Sequence, residues 1–87
     1  MAEETRNLKL LTPIRGDGED AAEIAELTFH EPDLDDIIAA EEESTSETVR
    51  AAFLLSRMAG VPFAVFRRLK ARDAKASLDL NEDWLGN

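Results

Sequence analysis

Apolar side chains are densest between Thr48 and Leu69, and their spacing predicts two helices separated by a corner. Val49, Ala52, Phe53, Leu55, Met58 and Ala59 recur at steps of three and four, which gathers side chains onto one stripe of an α-helix. Ser46 stands just ahead of this run as an N-cap, its hydroxyl placed to accept from a free N–H of the first turn. Gly60 stands where a left-handed residue ends a helix, and Pro62 where a missing N–H costs nothing, at the first position of the next one. That second helix, Pro62 to about Leu69, carries Phe63, Val65, Phe66 and Leu69. Two turns cannot bury all four against a small core, so these are the candidate partner-binding residues, with one or two of them open to another chain.

The flanking segments read more weakly. Leu8 to Ile14 alternates imperfectly around Lys9 and suits a strand ending near Pro13. Arg15 to Asp20 is a turn built on two glycines and carboxylates. Ala22 to His30 sets Ala25, Leu27 and Phe29 against Glu26, Thr28 and His30, the period of a half-buried strand. Two strands joined in this way form a β-hairpin, which is marginal alone and must lay its apolar face on the helices. Pro32 ends the strand, and Asp33 caps a short helix bearing Leu34, Ile37, Ile38 and Glu41, with Asp35 and Asp36 in the first turn, where the helix dipole favours negative charge. Glu41 to Glu47 reads as a flexible connector. From Ala71 to about Leu85, residues Ala74, Leu78 and Leu85 fall at helical steps, with Gly86 as the stop. The fold class is therefore α+β: an N-terminal β-hairpin over 8–30 packed on three or four short α-helices over 33–85, in a single small domain, with 1–7 a disordered tail.

Composition narrows the function more than it identifies it. At 87 residues only about 60% of the unfolded surface is buried on folding, so stability is marginal without a partner. There is no cysteine and only one histidine, which removes disulfides, thiolate chemistry and histidine clusters. No apolar run reaches the length of a membrane span, and the acidic start has no signal-peptide core, so a cytoplasmic protein is expected. The net charge of −9 is unevenly spread: residues 1–48 hold 15 acids and 3 bases, residues 49–87 hold 4 acids and 7 bases. Such polarity can orient a partner, although a solvated acidic surface also simply keeps a small protein soluble.

Catalytic chemistry finds no support. The carboxylates lie in solvated clusters rather than in a site that separates two pKa values, and no Walker, GxGxxG or EF-hand spacing is present, so no enzyme activity, cofactor or metal is expected. The rival reading is a small helix-turn-helix DNA-binding regulator using the helix pair 48–69, followed by Arg67, Arg68, Lys70 and Arg72. Its second helix would open with Phe63, Ala64 and Val65, where base readout needs polar side chains, and the acidic net charge opposes phosphate attraction.

The order LTPI, a glycine turn, LTFHEP, DLDDIIAAE and LLSRMAGVPFAVFRRLKARDAKASL resembles the small tail assembly chaperones of long-tailed phages, especially those of Mu-like phages and related prophages. The resemblance spans about Leu8 to Leu80. Its most specific pieces are Glu31-Pro32 before the Asp-rich helix start, the LSRMAGVP corner, and the pair Arg72-Asp73. The family often has Arg where His30 stands and an aromatic where Ala74 stands. The resemblance implies a protein that binds the tape measure protein in the host cytoplasm and keeps it soluble. Such a protein leaves as the tail tube protein polymerises and is absent from the mature virion; the tail tube protein and a second copy of the chain are further partners that it allows.

Overall fold

The computed structural model describes residues 4–18 and 22–85. The chain runs through two strands and four helices: β1 (Thr5–Arg15), β2 (Glu23–His30), α1 (Leu34–Glu43), α2 (Glu47–Ala59), α3 (Phe63–Phe66) and α4 (Ala71–Leu80). The strands pair antiparallel as a two-stranded sheet. Helix α2 lies on β2 and α4 on β1, while α1 packs on α2. The core closes between the hairpin side chains Leu10, Ile14, Leu27 and Phe29 and the helical side chains Leu55, Met58, Val65 and Phe66. This is the α+β hairpin-and-helices domain that the pattern of residues predicts.

The hairpin departs from simple alternation at one place. Lys9 pairs with Glu26, but the next partners are Ile14 and Ile24, so Leu10 to Pro13 face Ala25 alone. The displaced stretch has its own acceptor: the buried carboxylate of Asp73 on α4 takes the N–H groups of Leu11 (2.9 Å) and Thr12 (3.0 Å). Pro13 does not end the strand, because a proline is tolerated where the ladder is already broken. The same irregularity leaves Ala25 exposed and moves the inward position to Ile24, which packs on the core.

Strand β1 also begins earlier than expected, and Thr5, Arg6 and Asn7 are paired with His30, Phe29 and Thr28 rather than lying in a disordered tail. Arg6 supplies a reason. Its guanidinium donates to the Leu80 carbonyl (2.9 Å) and to both carboxylate oxygens of Asp83 (2.6 and 2.8 Å), and it lies 3.6 Å from the centre of the Trp84 ring. The hydrogen-bonded guanidinium brings the Asp83 carboxyl down to about 2. One side chain thus ties the first strand to the turns after α4.

The helix ends follow their capping chemistry. Ser46 caps α2 through Val49 N–H, and Gly60 ends it in the left-handed region (φ 67°). The Gly60 and Val61 N–H groups return to the carbonyls of Arg57 and Ser56, a Schellman closure that turns the chain. Pro62 is the residue before α3 rather than its first residue. Helix α3 is a single turn, not the two turns expected: beyond Phe66 the bonds from Arg68 to Val65 and from Leu69 to Phe66 close on the tighter three-residue pattern. Glu41, Glu42 and Glu43 belong to α1, so the connector is only Ser44 to Ser46. Helix α4 ends at Leu80 instead of near Leu85, with Asn81 as its cap; the expected stop at Gly86, like the turn residues Glu19 and Asp20, lies outside the described residues.

Candidate partner-binding surface

Helix α1 is positioned by polar contacts, and this decides which way its apolar residues face. Asp33 accepts from Asp36 N–H while the Asp36 carboxylate accepts from Asp33 N–H, a reciprocal capping box. The same Asp36 accepts from Arg57 Nε on α2 at 2.7 Å. Burial pushes the Asp36 carboxyl up, but the hydrogen bonds from Arg57 and from the Asp33 backbone outweigh it and hold the group below its usual range. The inward residues of α1 are therefore Asp36 and the small Ala40. Its large apolar residues are left outside: Leu34 is 71% exposed, Ile38 45% and Ile37 39%. Their spacing is the amphipathic stripe of a helix that buries it, yet here the stripe faces solvent.

Helix α4 repeats the arrangement. Its buried face is Asp73, Ser77 and Asn81, one above the other at steps of four. Asp73 serves the displaced stretch of β1, Ser77 Oγ donates to the Asp73 carbonyl (3.0 Å), and Asn81 Nδ2 donates to the Ser77 carbonyl (2.9 Å). This polar ladder is the side of α4 that meets β1, so Ala74 and Leu78 point the other way; Leu78 is 40% exposed.

Two apolar clefts lie where these outward faces converge. The first, about 310 Å³, sits between α2 and α4 and is walled by Ala51, Ala52, Leu55, Phe66, Ala74 and Leu78. The second, about 230 Å³, is walled by Ile37 and Ala40 of α1, Ala51 and Leu54 of α2, Leu78 and Leu85. They meet at Ala51 and Leu78, where small alanines on α2 leave the floor low. Leu34 and Ile38 add further exposed apolar side chains on α1. Apolar surface of this kind, edged by charge, is the form that interaction sites take.

Of the four residues expected to meet a partner, two are buried and two are half-exposed. Val65 and Phe66 are core residues, Leu69 is half-buried against the core, and Phe63 is half-buried with its ring edge-on to Phe53 at 5.3 Å. Of the four, only Phe66 lines a cleft, as part of its floor. Gly60 and Pro62 bring the single-turn α3 back over the end of α2, so Val65 and Phe66 enter the core while Phe63 stays half-exposed beside Phe53. The helix-turn-helix geometry falls with it: a four-residue α3 offers no recognition helix, and the Arg68 guanidinium is held by Asp17 and the Arg15 carbonyl. The outward turn of the α1 stripe had a trace in the sequence. Asp36 sits at the step of α1 that also has to face α2, and a charge there forces the helix to dock on its polar side.

No helix among the described residues is long and apolar enough to cross a membrane. Residues 7–78 match a family model described as phage tail assembly chaperone proteins, E, or 41 or 14. No curated protein and no solved structure matches the chain.

Proposed function

The chain belongs to the family of phage tail assembly chaperones, and from that premise we propose that it binds the tape measure protein and keeps it soluble during tail assembly. It acts in the host cytoplasm, releases its client as the tail tube protein polymerises, and is absent from the mature virion. The observation that carries this reading is the orientation of α1: Leu34, Ile37 and Ile38 form a helical apolar stripe that the fold leaves uncovered. A monomer gains nothing from that arrangement, since full burial of an exposed side chain of this size contributes about 1.5–3 kcal/mol and each of the three forgoes the part that matches its exposure. A client with apolar helical stripes would recover it. The acidic remainder of the surface would then keep neighbouring complexes apart.

The test is co-expression with the tape measure protein of the same phage or prophage. The wild-type chain should move the tape measure protein into the soluble fraction and co-purify with it. The double variant Leu34→Asp/Ile38→Asp should keep its circular dichroism spectrum, because neither side chain belongs to the buried core, and should lose co-purification. A tape measure protein equally soluble with and without the chain would contradict the reading.

A further inference from the structure

The chemistry of the surface specifies its occupant more closely than the family does. Glu41, Glu42 and Glu43 form the last turn of α1, which contains no base. Carboxylates at a helix C-terminus face the negative end of the dipole, so both the side chains and the backbone of this turn disfavour the local charge. Glu47 follows at the start of α2, and Glu41 and Glu47 each line a cleft. Arg50 is the one cation lining either cleft. Among the described residues none of the four glutamates is ion-paired. The apolar groove is therefore lined by two unpaired carboxylates, Glu41 and Glu47, against one cation, Arg50, with Glu42 and Glu43 adding negative charge nearby on α1.

We infer that the groove between α1, α2 and α4 receives an α-helix with an apolar stripe and a lysine- or arginine-bearing edge, the stripe seated on Ile37, Ala51 and Leu78 and the basic edge over Glu41 and Glu47. This rests on the reading of the chain as a binder of the tape measure protein and names the kind of segment it would select. A helix fits because the walls are themselves helices, whose backbones are already paired. An extended segment pressed on these apolar walls would bury N–H and C=O groups with no partners, whereas a helix brings its own satisfied. A second copy of this chain is disfavoured by the same carboxylates, since it would bring glutamates toward glutamates in a protein of net charge −9.

The experiment uses the full chain and three synthetic helical peptides: one with a leucine stripe and a lysine edge, one with the same stripe and a glutamate edge, and one with the lysine composition scrambled to destroy the stripe. At low salt the stripe-and-lysine peptide should bind at least about tenfold tighter than the glutamate peptide, the order expected of two or three exposed ion pairs. The gap should close in 1 M salt, where screening reaches about 3 Å. Glu41→Gln/Glu47→Gln should narrow the gap, and Leu78→Asp should weaken both striped peptides with an unchanged circular dichroism spectrum. Equal binding of the two striped peptides, equal binding of the scrambled one, or a dimer of the free chain that Leu78→Asp dissolves would each overturn the assignment. Co-expression separates the two levels. If the wild-type chain solubilises the tape measure protein and Leu78→Asp does so equally well, the groove assignment falls and the chaperone reading stands. If the wild-type chain leaves it insoluble, the chaperone reading itself falls.

Discussion

Among single residues, the two phenylalanines Phe29 and Phe53 separate what holds the fold from what dresses it. Phe29 is fully buried in the hairpin's inward row, in contact with the helical core. Phe29→Ala should cost about 3–5 kcal/mol, enough to unfold much of a domain this small. Phe53 shares the stripe spacing of α2 but is only half-buried, with the Phe63 ring as its neighbour. Phe53→Ala should cost about 1–2 kcal/mol, from partial burial and one aromatic pair. Urea denaturation of the two variants checks the ordering, and a Phe53 variant as damaged as the Phe29 variant would contradict the burial pattern. Local chemistry was the most legible part of the sequence. Asp33, Ser46 and Gly60 act through their own backbone neighbourhood, so their capping roles follow from residue type and position alone. Arg6 and Asp73 were not legible, because each works on atoms more than sixty residues away: Arg6 on Leu80 and Asp83, Asp73 on Leu11 and Thr12.

Between elements, the contact of α4 with β1 rests on polar groups rather than on an apolar seam. Asp73 substitutes for the ladder partner that Leu11 and Thr12 lack, and its neighbours Ser77 and Asn81 bond down the helix. Replacing Asp73 by Asn presents an amide donor to one of those two N–H groups. Asp73→Asn should therefore destabilise by about 1–3 kcal/mol, the cost of a partly buried donor left without an acceptor. Exchange of the Leu11 and Thr12 amides should accelerate together with amides of α4, and an unchanged exchange rate at both would mean that water already satisfies them. Periodicity predicted α1, α2 and α4 but could not say which face of each would be covered. The steps Leu34, Ile37, Ile38 and Ala74, Leu78 are those of core stripes. What turned them outward is the Asp36 to Arg57 pair and the Asp73 ladder, interactions between segments distant in sequence. Helix α3, expected as two turns, is one turn folded back on the core, which buries Val65 and Phe66 and leaves Phe63 and Leu69 half-exposed.

For the whole molecule, one organisation recurs: the hairpin, α2 and α3 build a conventional apolar core, while α1 and α4 attach to it by buried polar contacts and carry apolar residues on their outer sides. The result is a small domain with apolar clefts beside its core, bordered by Glu41 and Glu47. That arrangement is costly for a solitary protein and fits the proposed role of binding an aggregation-prone client through apolar stripes. The central claim is that the outward faces of α1 and α4 form the client surface. Amide hydrogen exchange of the chain, alone and in complex with its tape measure protein, tests it most directly. The account predicts slowed exchange across Leu34–Glu43, the first half of α2 and Ala71–Leu80, with β1 and β2 unchanged. Protection confined to Phe63–Phe66 and the hairpin, with α1 and α4 exchanging as in the free chain, would contradict it.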